Sequence, residues 1–169
     1  MAPPAWLVEF WKREPSWIRR YMQGSFELNA IMCGVSGIKK SDTIWKPAAV
    51  REFIAYMDTV AERVKEPTII YRGTTVESPT MHSFANILPT CQFMSCTKSR
   101  AIAKEFAGKR DGYLHILHLR KGVRIKDFSE FYNSDLVRRE KEVLLYPGQK
   151  LVLIKRVGNT LTWEVYPKA

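Results

Sequence analysis

The chain has 169 residues, 46% of them apolar, and a formal charge of +10. A chain of this length buries roughly 70% of its unfolded surface, so it reads as one domain without need of disulfide staples. Interspersed charges exclude long disorder. No apolar run approaches the roughly 18 residues of a membrane span. The three cysteines, Cys33, Cys91 and Cys96, have neither CxxC nor zinc spacing and read as free thiols.

From the N-terminus, Trp6–Trp11 and Trp17–Met22 are apolar-rich and separated by Pro15, which predicts short helices. Ser25–Cys33 is a further short helix, closed by Gly34 and Gly37. Met1–Phe10 lacks a basic stretch followed by an apolar run, so no signal peptide is expected and the expected location is cytoplasmic. Asp42–Lys65 is the clearest helix. Pro47 stands near its start, and Val50, Phe53, Ile54, Met57, Val60, Ala61 and Val64 recur at helical spacing. That stripe is core.

Beyond Pro67 the period changes. Thr68–Tyr71 is β-branched and short, a buried strand, and Gln92–Ser95 reads as another. Thr97 or Ser99 can cap a helix running through Gly108, with Ile102 and Phe106 on one face. Tyr113–Leu119 and Val123–Ile125 are strands. Asp127 and Glu130 are spaced like a capping box. Glu142–Leu145 is a strand turned by Pro147-Gly148. Leu151–Val157 and Thr160–Val165 form a hairpin around Gly158-Asn159. Helices first and strands afterwards give an α+β class.

Three segments carry chemistry. Arg72 ends a strand within Tyr71-Arg72-Gly73. Its forked guanidinium suits a phosphate or carboxylate, and Gly73 permits close approach of a ligand to the backbone. Taken alone, this segment is better explained as an ordinary strand end with a solvated arginine. Ser95-Cys96-Thr97 leads into a helix, where hydroxyls commonly cap; in the functional reading, Ser95 orients another side chain. Glu140-Lys141-Glu142 leads into the apolar Val143-Leu144-Leu145. If extended, it places Glu140 and Glu142 on one face, about 7 Å apart. Like charges side by side are harmless on a solvated edge and costly on a buried one.

In this order the three segments resemble the Arg–Ser–Glu class of mono-ADP-ribosyltransferases, which includes clostridial binary toxins, C3-like exoenzymes, phage-encoded enzymes and vertebrate ecto-enzymes. The family pattern is aromatic-Arg-Gly, then Ser-Thr-Ser, then Glu-x-Glu or Gln-x-Glu. The likeness covers about residues 68–157. One position departs: Cys96 stands where the family has a middle hydroxyl.

The resemblance implies the ADP-ribosyltransferase fold, with a helical N-terminal part packed on two mostly antiparallel sheets that form a split sandwich. It implies a single catalytic domain over 1–169, helical over 1–66 and β-rich over 67–169. It also implies NAD as co-substrate and no metal. Arg72 would hold the pyrophosphate with Lys109 or Arg110. The Gly73 backbone would hydrogen-bond the nicotinamide amide, and Phe106 would pack against the ring. Ser95 and Thr97 keep two hydroxyls near the cofactor, Ser95 holding Glu142. Glu142 would bind the ribose 2′-hydroxyl and stabilise the developing positive charge.

Glu140 would serve the acceptor, pairing with a guanidinium as a base. The segment 127–139, with Phe128, Phe131, Tyr132, Arg138 and Arg139, would recognise that acceptor. Transfer to a protein arginine is the leading expectation. Transfer to RNA or single-stranded DNA is the alternative, because the charge of +10 draws polyanions. NAD glycohydrolysis and a non-catalytic basic nucleic-acid-binding module are further readings. A toxin or a phage or bacterial effector, monomeric, with an inhibitor or antitoxin as a further partner, fits the same likeness. His115 and His118, three apart on a strand, face opposite sides and are expected to be structural.

Overall fold

The computed structural model describes Ala5 and residues 47–74, 87–89, 93–108, 112–127 and 141–168. The chain divides into two compact units, residues 1–61 and 62–169. The expected helices before residue 42 lie outside the described residues.

In the first unit, helix α1 spans Pro47–Val60. Proline at the first helical position has the right φ and lacks an N–H that would have no partner there. Tyr56 and Met57 are buried, while Arg51, Ala55, Asp58 and Thr59 are exposed. The Thr59 hydroxyl donates to Tyr56 O at 2.6 Å near the helix end.

The helix was expected to run to Lys65 but ends five residues earlier. Glu62–Arg63 instead form a two-residue strand, β1. They face Ile125 and Arg124 in antiparallel register. Val64 N–H donates to Val123 O at 2.9 Å, and Val64 O accepts from Gly122 N–H at 2.8 Å. Val64 is buried in the β core. Its apolar side chain fits the helical stripe, but long-range pairing outweighs a helix propensity worth tenths of a kcal/mol.

The second unit adds β2 (Thr68–Thr74), β3 (Ile87–Pro89), β4 (Met94–Thr97) and helix α2 (Arg100–Ala107). They are followed by β5 (Tyr113–Leu119), β6 (Arg124–Asp127), β7 (Glu142–Leu145), β8 (Lys150–Val157) and β9 (Thr160–Tyr166). Strands β1 and β3 were not anticipated; at two and three residues they are too short to leave a period-2 signal. The ladder order is β1-β6-β7-β4-β2-β5-β9-β8-β3. Pairing is antiparallel except between β5 and β9.

The expected split falls at one point in this order. Strands β2 and β4 share a single registered pair, Tyr71↔Thr97. On one side lies a four-strand arm, β1-β6-β7-β4, and on the other a five-strand arm, β2-β5-β9-β8-β3. The arms share one core. Ile70, Leu117, Leu119, Trp163 and Val165 meet Met94, Cys96, Val143 and Leu145 in a single apolar cluster.

The β8–β9 turn is Gly158-Asn159, as expected, with φ 58° at Gly158. Glycine at the first central position fits the II′ hairpin pattern. Gln149 ties the β7–β8 turn to β6. Its Nε2 donates to Arg124 O and Tyr146 O, each at 3.0 Å, and its Oε1 accepts from Arg124 N–H.

Candidate active site

Strand alternation places the chemistry. Met94 and Cys96 of β4 belong to the core cluster, as do Val143 and Leu145 of β7. Ser95 and Thr97 therefore face the other way. Thr97 pairs directly with Glu142, and directly opposed residues share a face. Ser95, Thr97 and Glu142 consequently stand together, and Ser95 Oγ donates to Glu142 Oε2 at 2.8 Å. Glu142 is only 2% exposed. A buried carboxylate persists only when it is partnered, and a hydrogen bond to a charged group contributes about 1.5–3 kcal/mol.

Arg72 enters from β2. Past Tyr71 the ladder to β4 stops, and the arginine side chain spans the parting strands. Its Nη1 donates to Ser95 O at 2.7 Å. Its Nε is buried without a hydrogen-bond partner among the described residues. One residue, Ser95, thus binds the carboxylate through its hydroxyl and the guanidinium through its carbonyl. Arg72, Ser95 and Glu142, which the sequence singled out, form one hydrogen-bonded chain.

Thr97 takes a local role. Its Oγ1 accepts from Ser99 N–H at 3.0 Å, and Ser99 caps α2, its hydroxyl accepting from Ile102 N–H at 3.3 Å. Phe106 lies on the exposed face of α2 and keeps half its surface. Gly73 has a packing reason that the sequence did not reveal. A Cβ there would stand 1.8 Å from Ala103 O, so α2 itself occupies that space. The same close approach holds at Gly112 against Ala107 O.

The departure from the family pattern, Cys96, points away from these residues. Its thiol is buried in the core, with Met94 O at 3.7 Å. Burial pushes it up to about 12; the Arg72 charge pulls down and the Glu142 charge pushes up. A thiol this high is protonated near neutral pH and is not a nucleophile.

The argument for Glu140 changes. Lys141 has φ 47°, a left-handed conformation, and β7 begins only at Glu142. The same-face rule for residues i and i+2 requires extended backbone between them, so it does not apply across Lys141. Glu140 itself lies outside the described residues, as do Lys109, Arg110, Phe128, Phe131, Tyr132, Arg138, Arg139 and Glu130. Asp127 is the last residue of β6 and pairs with Lys98; the helical turn it was expected to open lies outside the described residues.

On the other edge of β2, His115 is fully buried. Trp163 Nε1 donates to His115 Nδ1 at 3.0 Å, and His115 Nε2 lies 2.9 Å from Thr74 Oγ1. An indole N–H only donates, so Nδ1 accepts and the proton sits on Nε2, directed at Thr74. The expectation of a structural role for His115 agrees with this. Among the described residues no group of His, Cys, Asp or Glu is placed to hold a metal.

No protein-family model and no curated protein matches the sequence. The fold does have solved counterparts. The ADP-ribosylating toxin BECa of C. perfringens, solved with NADH, superposes with a TM-score of 0.61 at 17% identity. The match covers 88% of this chain and 42% of that one, so the chain spans less than half of BECa. Plx2a, an ADP-ribosyltransferase toxin from Paenibacillus larvae, gives 0.56 at 14% identity over 91% of this chain and 86% of that chain. The ADP-ribosyltransferase HopU1 of Pseudomonas syringae pv. Tomato gives 0.54 at 18% identity over 83% and 64%. The chain has the ADP-ribosyltransferase fold.

Proposed function

We propose that this chain is a single catalytic domain that transfers ADP-ribose from NAD to a protein arginine, releasing nicotinamide. The observation that carries the reading is the buried Glu142 held by Ser95 Oγ at 2.8 Å, with Arg72 anchored on the carbonyl of the same serine. A fold shared with ADP-ribosylating toxins supports it.

The residues present fit an anionic dinucleotide. Arg72 has a buried N–H with no hydrogen-bond partner among the described residues, suited to a phosphate oxygen. Glu142 is fixed before any ligand arrives, and a preorganised carboxylate stabilises positive charge without reorganisation at the moment of reaction. NAD supplies the labile bond between nicotinamide and ribose C1′. As that bond breaks, its electron pair leaves with nicotinamide, and Glu142 stabilises the cation left on the sugar. Ser95 keeps the carboxylate in place. A guanidine nitrogen then bonds to C1′ and loses a proton, for which Glu140 is the assigned base. Phe106 supplies an exposed aromatic face for the nicotinamide ring. The segment 127–139 supplies acceptor contacts.

The test is transfer of labelled ADP-ribose from NAD into a whole-cell lysate, with the product divided between protease and nuclease digestion. Protease-sensitive label on arginine is expected. Nuclease-sensitive label would replace the protein acceptor with a nucleic acid. Free ADP-ribose with no label on any acceptor would leave a glycohydrolase.

A further inference from the structure

Lys98 holds both ends of the segment that joins β6 to β7. Its Nζ lies 2.5 Å from Asp127 Oδ2, at the end of β6. Its backbone N–H donates to Lys141 O at 3.1 Å, one residue before Glu142 and β7. A single residue therefore holds the last residue of β6 and the residue that precedes β7. Lys98 is itself well fixed. It follows Thr97, which faces Glu142 across the β4–β7 ladder, and precedes Ser99, the cap of α2.

Two details argue that this grip serves position more than stability. The ion pair is half in solvent, the Lys98 side chain being 52% exposed and that of Asp127 13%. Such pairs contribute little to folding. The backbone bond, in contrast, lands on Lys141, the one non-glycine residue with positive φ among those described. A left-handed lysine costs free energy and persists only where its surroundings over-determine it. That turn sets the backbone at the residue immediately before Glu142.

We propose that Lys98 is a positioning residue for the acceptor step. It sets the base of the acceptor-facing segment, through Asp127 and Lys141, without touching the group that cleaves NAD. The inference rests on the acceptor role proposed above for the segment 127–139 and Glu140.

The experiment compares the wild type with Lys98→Met, Asp127→Asn, the double variant and Lys98→Arg. Transfer to agmatine, a small guanidine, and hydrolysis of NAD in its absence are measured side by side, with Tm for each protein. Lys98→Met and Asp127→Asn should each lower transfer about tenfold, leave hydrolysis within about twofold, and leave Tm nearly unchanged. The double variant should be no worse than either single one, because both break the same contact. Lys98→Arg should restore transfer. Equal loss of transfer and hydrolysis, or no change in their ratio, overturns the proposal. A second reading does not depend on turnover: in Lys98→Met the amide of residue 98 should exchange about tenfold faster while those of residues 95 and 96 keep their protection. Unchanged exchange at residue 98 overturns the grip whether or not NAD is consumed. A wild type that grips but consumes no NAD overturns the enzymatic reading instead.

Discussion

Strand β2 has a buried polar network on each edge, and the two are built differently. On the β5 side, Thr74, His115 and Trp163 form a closed set: the indole N–H and both ring nitrogens of the histidine have partners. On the β4 side, Arg72, Ser95 and Glu142 are also hydrogen-bonded, yet the guanidinium keeps a buried N–H with no partner among the described residues. A closed network only stabilises; an orphaned donor held in place is a standing cost unless something arrives to use it. The contrast separates scaffold from site within one strand.

Replacing members of each network tests that separation. Glu142→Gln should have the largest effect, lowering both NAD cleavage and transfer by about 10²–10³-fold with little change in thermal stability; assays of both activities beside a melting curve check it, and full activity in the variant would refute the mechanism. Ser95→Ala should follow. Loss of a hydrogen bond worth about 1.5–3 kcal/mol should reduce kcat by about 10–100-fold and leave KM for NAD nearly unchanged. A rise in KM with normal kcat would mean that Ser95 binds NAD and does not steady Glu142.

Trp163→Phe should behave in the opposite sense. It leaves His115 Nδ1 without its donor, at a cost of about 1–3 kcal/mol, seen as a lower Tm with activity retained below the transition. If activity falls and Tm holds, the two networks are not separable. The smallest effect concerns Cys96. Its thiol is raised to about 12 from an ordinary value near 9, so the folded state binds a proton that the unfolded chain releases between those values. The stability it contributes is complete below pH 9 and lost as pH rises toward 12. Stability of the wild type should decline over that window more steeply than that of Cys96→Ala. The native thiol should also resist alkylation at neutral pH, which a thiol reagent reads directly.

Much of the site was legible because its residues keep fixed places on strands. Arg72, Ser95 and Glu142 lie 23 and 47 residues apart, and the order of their short motifs brought them together before any coordinates did. Strand β5 was read at both ends, Tyr113 and Leu119, because Leu114, Ile116, Leu117 and Leu119 cluster between the glycine-containing turns at Gly112 and Gly122. What stayed hidden depends on partners distant in sequence. Glu62 and Arg63 continue a helical pattern and are strand only because β6 is there to pair with them. At Gly73 the close approach of the α2 carbonyl, which leaves no room for a Cβ, gave no signal in the sequence. Lys141 breaks the alternation that had set two glutamates side by side, and no sequence period announces a single left-handed residue. Lys98 drew no notice, since a lysine between a strand and a capped helix usually faces water.

The position of β9 has a consequence for how the protein is made. Thr160–Tyr166 lies between β5 and β8, parallel to the first and antiparallel to the second. It brings Trp163 and Val165, both fully buried, into the common core. Until a ribosome has released those residues, β5 has an open edge and His115 lacks the indole it bonds. The five-strand arm therefore closes only after β9 has been made, and a nascent chain stalled before residue 160 would display an unpaired edge to chaperones and proteases.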